Sequence, residues 1–160
     1  MFLSLNSFKD RHRGESCYII GDGPSIKYFD YLKLKDYVVI CCGMQAFHKD
    51  FTRLNVKYYA LIEPYLFYPD WLIRSKRLQY LKEHRVITNE FRGIIKRRKD
   101  LTFFLNLSNL FAIKEPNIGF VHRTLLGNQE KFIYLLNNKI DPFGGTFHAT
   151  LSLALLMGFK

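Results

Sequence analysis

The chain is short of acid. Its 160 residues hold 14 Asp and Glu against 24 Lys and Arg, a formal net charge of +10. A field of that sign attracts nucleic acid, anionic lipid or phosphorylated small molecules. No nucleic-acid-binding motif accompanies it, so no specific nucleic-acid partner is expected. Cysteine is also scarce. Cys17, Cys41 and Cys42 are an odd number with no CxxC spacing, which argues against a disulfide framework and against a zinc site. No apolar run approaches the ~20 residues that span a bilayer. The opening Met1–Asn6 is too short for the core of a signal peptide. The expected location is the cytoplasm. Internal repeats and low-complexity tracts are absent. So are GxxxxGK(S/T), HExxH and GxSxG, which leaves P-loop, zinc-hydrolase and serine-hydrolase readings without support.

What is present is an ordinary globular balance, 48% hydrophobic and 24% charged, with 16% aromatic residues. Residues 1–16 are polar and basic and read as a leader onto a domain of residues 17–160. Cys17–Ile20 and Tyr37–Cys42 are continuous apolar runs of the kind buried on both faces of a parallel sheet, and Lys57–Ile62 reads as a third strand. Arg85–Thr88 and Thr102–Leu105 are further strand candidates. Helices are expected over Ile26–Leu32, Gln45–Leu54, residues 70–82, Phe91–Lys99, Gln129–Asn138 and Phe147–Met157, with Gly158 as the C′ residue of the last. Residues 106–125 carry no clear signal. Strands alternating with helices give an α/β fold, a Rossmann-like parallel sheet flanked by helices in a single domain, its first strand central. The basic clusters Arg74–Arg77, Lys82–Arg85 and Lys96–Lys99 fall on helices or their ends. They read either as solvated faces or as a peripheral contact with the inner face of a membrane.

In such a sheet, ligands sit at the carboxyl ends of the strands. Gly21, Asp22, Gly23, Pro24 and Ser25 follow the first apolar run, with Ser25 as the expected N-cap of the next helix. Glycines admit a phosphate to the backbone, and a helix N-terminus supplies free N–H groups. The same residues also make a tight turn. Asp22 is awkward beside a phosphate and better suited to a ribose hydroxyl or a base amine. The dinucleotide fingerprint fails, because its third glycine would be Ile26 and its acid Cys41 or Cys42. Gly43 closes the second strand. Glu63, before Pro64, ends the third and either binds hydroxyls or is a solvated strand end. Asp70 and Trp71 are weaker candidates for the same cleft. Gly144, Gly145 and Thr146 open the last helix and read as a second set of donors or as an ordinary flexible cap. His148, one turn into an apolar helix, reads as packed rather than catalytic. No residue is assigned as catalytic.

The block His12-Arg13-Gly14 … Cys17–Ile26 resembles the opening of the 6-hydroxymethylpterin diphosphokinase MptE-like domain, found also in flagellin-modifying motility accessory factors. That opening reads approximately as a strand followed by G-N-G-P-S-L. The block Gly144-Gly145-Thr146 … Leu153–Lys160 resembles the family's G-G-T/S helix that finishes MGFK. Both blocks are also similar to bacterial lipooligosaccharide sialyltransferases, which have a Rossmann-like fold and use a CMP-sugar donor. In those enzymes a polar residue before a proline, matched here by Glu63, lies near the donor. Asp22 replaces the usual Asn, and Gly43 stands where Asn is frequent.

The resemblance implies a sialyltransferase-like glycosyltransferase of surface-glycan synthesis, with a nucleotide-sugar donor and a glycan acceptor. One alternative is a pterin diphosphokinase-type transferase using Mg²⁺ and ATP. Another is a non-catalytic nucleotide-binding module. In these families the last helix leads into a strand carrying G-x-D, and the catalytic His of the sialyltransferases follows it. The chain is therefore expected to be a domain incomplete at its C-terminus, with self-association through the apolar Phe147–Met157 helix.

Overall fold

A computed structural model of the chain describes residues 3–69, 81–123, 139–140 and 145–160. Strands form where the uninterrupted apolar runs place them. They are β1, Cys17–Ile20; β2, Val38–Cys42; β3, Val56–Leu61; and β4, Thr102–Asn106. Two follow that the sequence did not mark: β5, Ile118–Arg123, and the two-residue β6, Lys139–Ile140. Every pairing is parallel. Helix α1 spans Leu81–Arg97 and α2 spans Thr146–Leu156. The architecture is α/β and Rossmann-like, a parallel sheet flanked by helices in a single domain.

The strand order is β1-β2-β3-β4-β5-β6, so β1 lies at the rim and not at the centre as expected. Alternation along the strands explains this. Val39 and Cys41, Tyr59 and Leu61, and Phe103 and Leu105 face one way, into a core with Tyr31, Leu34, Phe51, Phe67, Phe91 and Ile95 from the connections. Ile40 and Cys42, Tyr58 and Ala60, and Phe104 face the other way. The connections between β1 and β5 thus pack on one face. Right-handed crossovers kept on a single face always advance the sheet in one direction. The first strand is then left at the edge, and the described strands contain no reversal of order.

The opposite face is closed by two separate pieces. One is α2, which contributes Ala149, Leu153, Ala154 and Leu156. The other is the segment expected as a leader. Its 3₁₀ turn Leu5–Phe8 buries both end residues, and Phe8 meets Phe104 edge-on at 5.2 Å between ring centroids. Residues 10–14 then run beside the end of α2, with Asp10, His12 and Gly14 N–H donating to the carbonyls of Leu156, Met157 and Gly158. The expected C′ role of Gly158 holds. Its φ is +83°, its N–H donates to Leu155 O, and Phe159 N–H donates to Ala154 O, the double bond of a Schellman ending. A Cβ there would sit 3.1 Å from Arg13 Cα, so packing demands glycine as well.

Three expected elements differ. Arg85–Thr88 is not a strand but the second turn of α1. Val86 is exposed, while Thr88 falls on the helical stripe with Phe91 and Ile95 that is buried. Ile26–Leu32 and Gln45–Leu54 are not α-helices. Their backbones form short 3₁₀ turns at Pro24–Tyr28, Tyr31–Leu34, Gln45–Phe47 and Phe51–Arg53. Extended residues such as Phe29 and His48 break each run before an α-helix can propagate. The helix expected over Gln129–Asn138, and Asp70, Trp71, Arg74–Arg77 and Gly144, lie outside the described residues. Among the described residues no helix is long and apolar enough to cross a membrane.

Candidate functional site

The carboxyl edge of the sheet gathers the sequence-derived candidates. Gly21–Ser25 leave β1, Gly43 leaves β2, and Glu63 stands two residues beyond β3. The N-terminus of α2 brings Gly145 and Thr146 to the same edge from the other face, where Thr146 Oγ1 donates to Glu63 Oε1 at 2.6 Å. Gly145 occupies the N-cap position of α2 without a side chain to satisfy the first-turn N–H groups. Those groups and the helix dipole favour an anion at this point.

The β1 loop is held to the β2 loop. Met44 N–H donates to Asp22 Oδ2 at 3.2 Å. Gly43 has φ +67°, and a Cβ on it would lie 2.5 Å from that same carboxylate oxygen. Glycine at 43 is therefore required twice, by conformation and by the approach of Asp22. The Asp22 carboxylate has room over the β2 loop because position 43 carries no side chain.

One expectation about the first loop needs correction. Ser25 is not an N-cap. Gly23 holds that place, Pro24 occupies the first turn, and no side chain caps it. The element that follows is a five-residue 3₁₀ turn, too short for an appreciable macrodipole, so the helix terminus at this site is that of α2. Gly23 has φ −61°, and a Cβ on it would meet only Ser25 Oγ at 3.9 Å, so neither conformation nor packing among the described residues demands glycine there.

A buried polar scaffold, which the sequence reading missed, sets these loops. Gln45 is buried, takes a hydrogen bond from the Tyr31 hydroxyl, and donates to Gly21 O. Burial, with Cys41 and Asp50 adding, pushes the Tyr31 phenol up to about 12. The Tyr59 hydroxyl donates to Gly43 O at 2.8 Å and accepts from Ala46 N–H at 2.9 Å, and burial raises its pKa. Asn109, fully buried, donates to Glu63 O and accepts from Phe67 N–H. Asn106 donates to Ile62 O. Tyr65 holds the strained φ of 56°, with its N–H bonded to Ser108 Oγ at 2.8 Å. The signal for part of this was Asn106-x-x-Asn109 directly after a buried strand, since buried amides must find partners.

The Cys42 thiol, at the end of β2, is pushed up first by burial; a hydrogen bond with Thr150 opposes this, and the charges of Asp22 and Glu63 add to the rise. The rim therefore carries two exposed acids beside backbone donors. His148 does not pack into the core as expected but is exposed on the first turn of α2, edge-on to Phe147. Beside Gly21 opens a groove of about 430 Å³, lined by Ile19, Gly21, Gly23, Ser25 and Phe147 among others. Comparison with protein-family models, curated proteins and solved structures returns no match.

Proposed function

We propose that the chain is the nucleotide-binding part of a nucleotide-sugar-dependent glycosyltransferase, sialyltransferase-like, acting in surface-glycan synthesis with a CMP-sugar or related donor. The observation that supports this best is the meeting of Thr146 and Glu63 at 2.6 Å. It sets the start of the second resembling block against Glu63, the residue matched to the family's donor-side polar position, although the two are far apart in the chain. In this reading the backbone of Gly21, Asp22, Gly23, Pro24 and Ser25 and the α2 N-terminus at Gly145 and Thr146 hold the donor phosphate. Gly144 is expected to join them. Glu63 takes a sugar or ribose hydroxyl, and Asp22, locked over Gly43, takes a second hydroxyl or a base amine. Catalysis is then positioning plus stabilisation of the departing phosphate by fixed N–H dipoles. The exposed Leu151 and Leu155 of α2 offer a surface for self-association, and Lys96 and Arg97 at the end of α1 a peripheral contact with anionic lipid.

A second reading is an MptE-like diphosphokinase using Mg²⁺ and ATP. It is favoured by Asp22 and Glu63, two exposed acids on loops at the same sheet edge. Asp22 and Glu63 would hold the ion with phosphate oxygens completing its shell, since no group of three His, Cys, Asp or Glu able to hold a metal occurs among the described residues.

A thermal-shift panel of CMP, UDP, GDP and ATP with and without Mg²⁺ separates these readings. Metal-independent stabilisation by CMP supports the glycosyltransferase, and stabilisation by ATP only with Mg²⁺ supports the diphosphokinase. No shift with any nucleotide leaves a non-catalytic module.

A further inference from the structure

The groove beside the first loop has two kinds of wall. At one end stand Gly21, Gly23 and Ser25, the residues assigned above to the phosphate. Along the rest stand the rings of Tyr18, Phe29 and Phe147. These rings are 44%, 44% and 48% exposed, whereas Tyr59, Phe91, Phe103 and Phe104 are buried completely or nearly so. The chain thus places three half-exposed aromatic rings around one concavity. Its floor is β1, the terminal strand of the sheet, whose outward backbone N–H and C=O groups have no strand partner among the described residues. The volume of about 430 Å³ lies within the range of small-molecule sites.

Apolar aromatic walls over a floor of alternating donors and acceptors suit a ligand with apolar faces and a polar edge. A heteroaromatic base has that form. Phe147 is the pivotal wall. Its ring edge would lie 3.7 Å from a Cβ built on Gly21, so a group resting on the glycine loop also touches the ring. Phe147 is moreover the second residue of α2, next to Thr146. The phosphate donors of that helix and the ring are one side chain apart.

We infer that this groove is the base-binding subsite of the nucleotide site, with the base packed against Phe147 and Phe29 and its polar edge read by the free edge of β1. The inference rests on the nucleotide reading of the preceding section and names residues that neither sequence block assigned.

The test is calorimetric titration of CMP, cytidine and ribose 5-phosphate into the wild-type chain and into Phe147→Ala, Phe29→Ala and Phe147→Tyr. The alanine variants should bind CMP and cytidine about tenfold or more weakly, the scale of one lost base–ring stack. Ribose 5-phosphate should change less than about twofold by the same scale, and Phe147→Tyr should retain CMP. Equal losses for CMP and ribose 5-phosphate, or no loss for either, overturn the base assignment while leaving the nucleotide reading intact. No binding of any of the three probes to the wild-type chain overturns both. Light scattering on the same samples reads a different occupant. If Phe147→Ala abolishes self-association and leaves CMP affinity unchanged, the groove receives a polypeptide strand and the proposal is wrong.

Discussion

At the amino end of the sheet, His12 stands between Glu15, at 3.1 Å from Nδ1, and the Tyr58 hydroxyl, at 2.6 Å from Nε2. It also stacks on Phe159 at 4.4 Å. At the carboxyl end, Asp22 meets one backbone N–H and Glu63 one hydroxyl, and both remain exposed. The two ends have similar chemical inventories, an acid with hydrogen-bonding partners on neighbouring elements. They differ in what is left over. The amino-end groups are occupied in tying the first residues, β3 and the end of α2 together. The carboxyl-end acids and the α2 N-terminus keep unused hydrogen-bonding capacity, and their scaffold of Gln45, Tyr59, Asn106 and Asn109 lies beneath them, mostly buried. A structural cluster satisfies itself. A site is held from below and open above.

This difference predicts that amino-side changes alter stability and leave nucleotide binding alone, while carboxyl-edge changes reach nucleotide binding. The largest effect belongs to Phe8→Ala. Phe8 is 1% exposed and packs edge-on against both Tyr58 and Phe104. Large-to-small substitution of a buried Phe costs about 3–5 kcal/mol, against a total of ~5–15 kcal/mol for a typical domain. Urea unfolding should show a midpoint lowered in proportion, or no cooperative transition at all. A shift of a few tenths of a kcal/mol would mean that residues 1–16 are the dispensable leader the sequence suggested.

Next in size is Gly43→Ala. The left-handed φ costs an alanine ~1–2 kcal/mol, and the methyl group displaces the Asp22 carboxylate from Met44 N–H. The substitution should therefore lower stability and weaken nucleotide binding together. Made in an Asp22→Ala background it should cost less, because the steric part has gone. A double-mutant cycle with no coupling would contradict the close approach of the two loops.

A smaller effect is expected for Tyr58→Phe. It removes the hydroxyl that joins His12 to the sheet, a loss of about 1 kcal/mol, and leaves His12 bonded to Glu15. Thermal unfolding should register it and CMP titration should not.

The parts of this comparison visible in the sequence were those written in continuous runs. Cys17–Ile20, Val38–Cys42 and Val56–Leu61 lie in a two-sided sheet, so all their positions but Lys57 are apolar and the strands are legible. The loop after Ile20 and the Glu63-Pro64 pair were legible for the same reason, because they end such runs. β5 was not, since Gly119 interrupts it, and the glycine is needed where Phe104 presses to 3.1 Å from the place of a Cβ. The role of residues 3–16 was hidden because Leu5 and Phe8 alone among them are fully buried and residues 9–16 are polar. The scaffold was hidden more deeply. Gln45 and Tyr31 meet only because two short connections cross the same face, and no spacing along the chain encodes that.

The smallest effect on stability, and the sharpest test of the site, is expected for Glu63→Gln. The side chain is exposed and its replacement has the same shape. An amide oxygen still accepts from Thr146 Oγ1, so stability should move by less than ~0.5 kcal/mol. Binding can go either way, and the sign carries the information. A carboxylate that grips a ribose or sugar hydroxyl makes a charge-assisted bond roughly twice as strong as a neutral one. Its loss should weaken a nucleotide-sugar donor about tenfold, or ~1.4 kcal/mol. A carboxylate that only stands near the phosphate repels it, and removing that charge should tighten binding, most at low salt, where screening is weakest. Titrating a nucleotide-sugar and inorganic pyrophosphate into both chains at two ionic strengths separates the cases. Weaker donor binding with unchanged pyrophosphate binding places Glu63 on the sugar or ribose. Tighter binding of both would make it a bystander and leave Asp22 as the acid of the site.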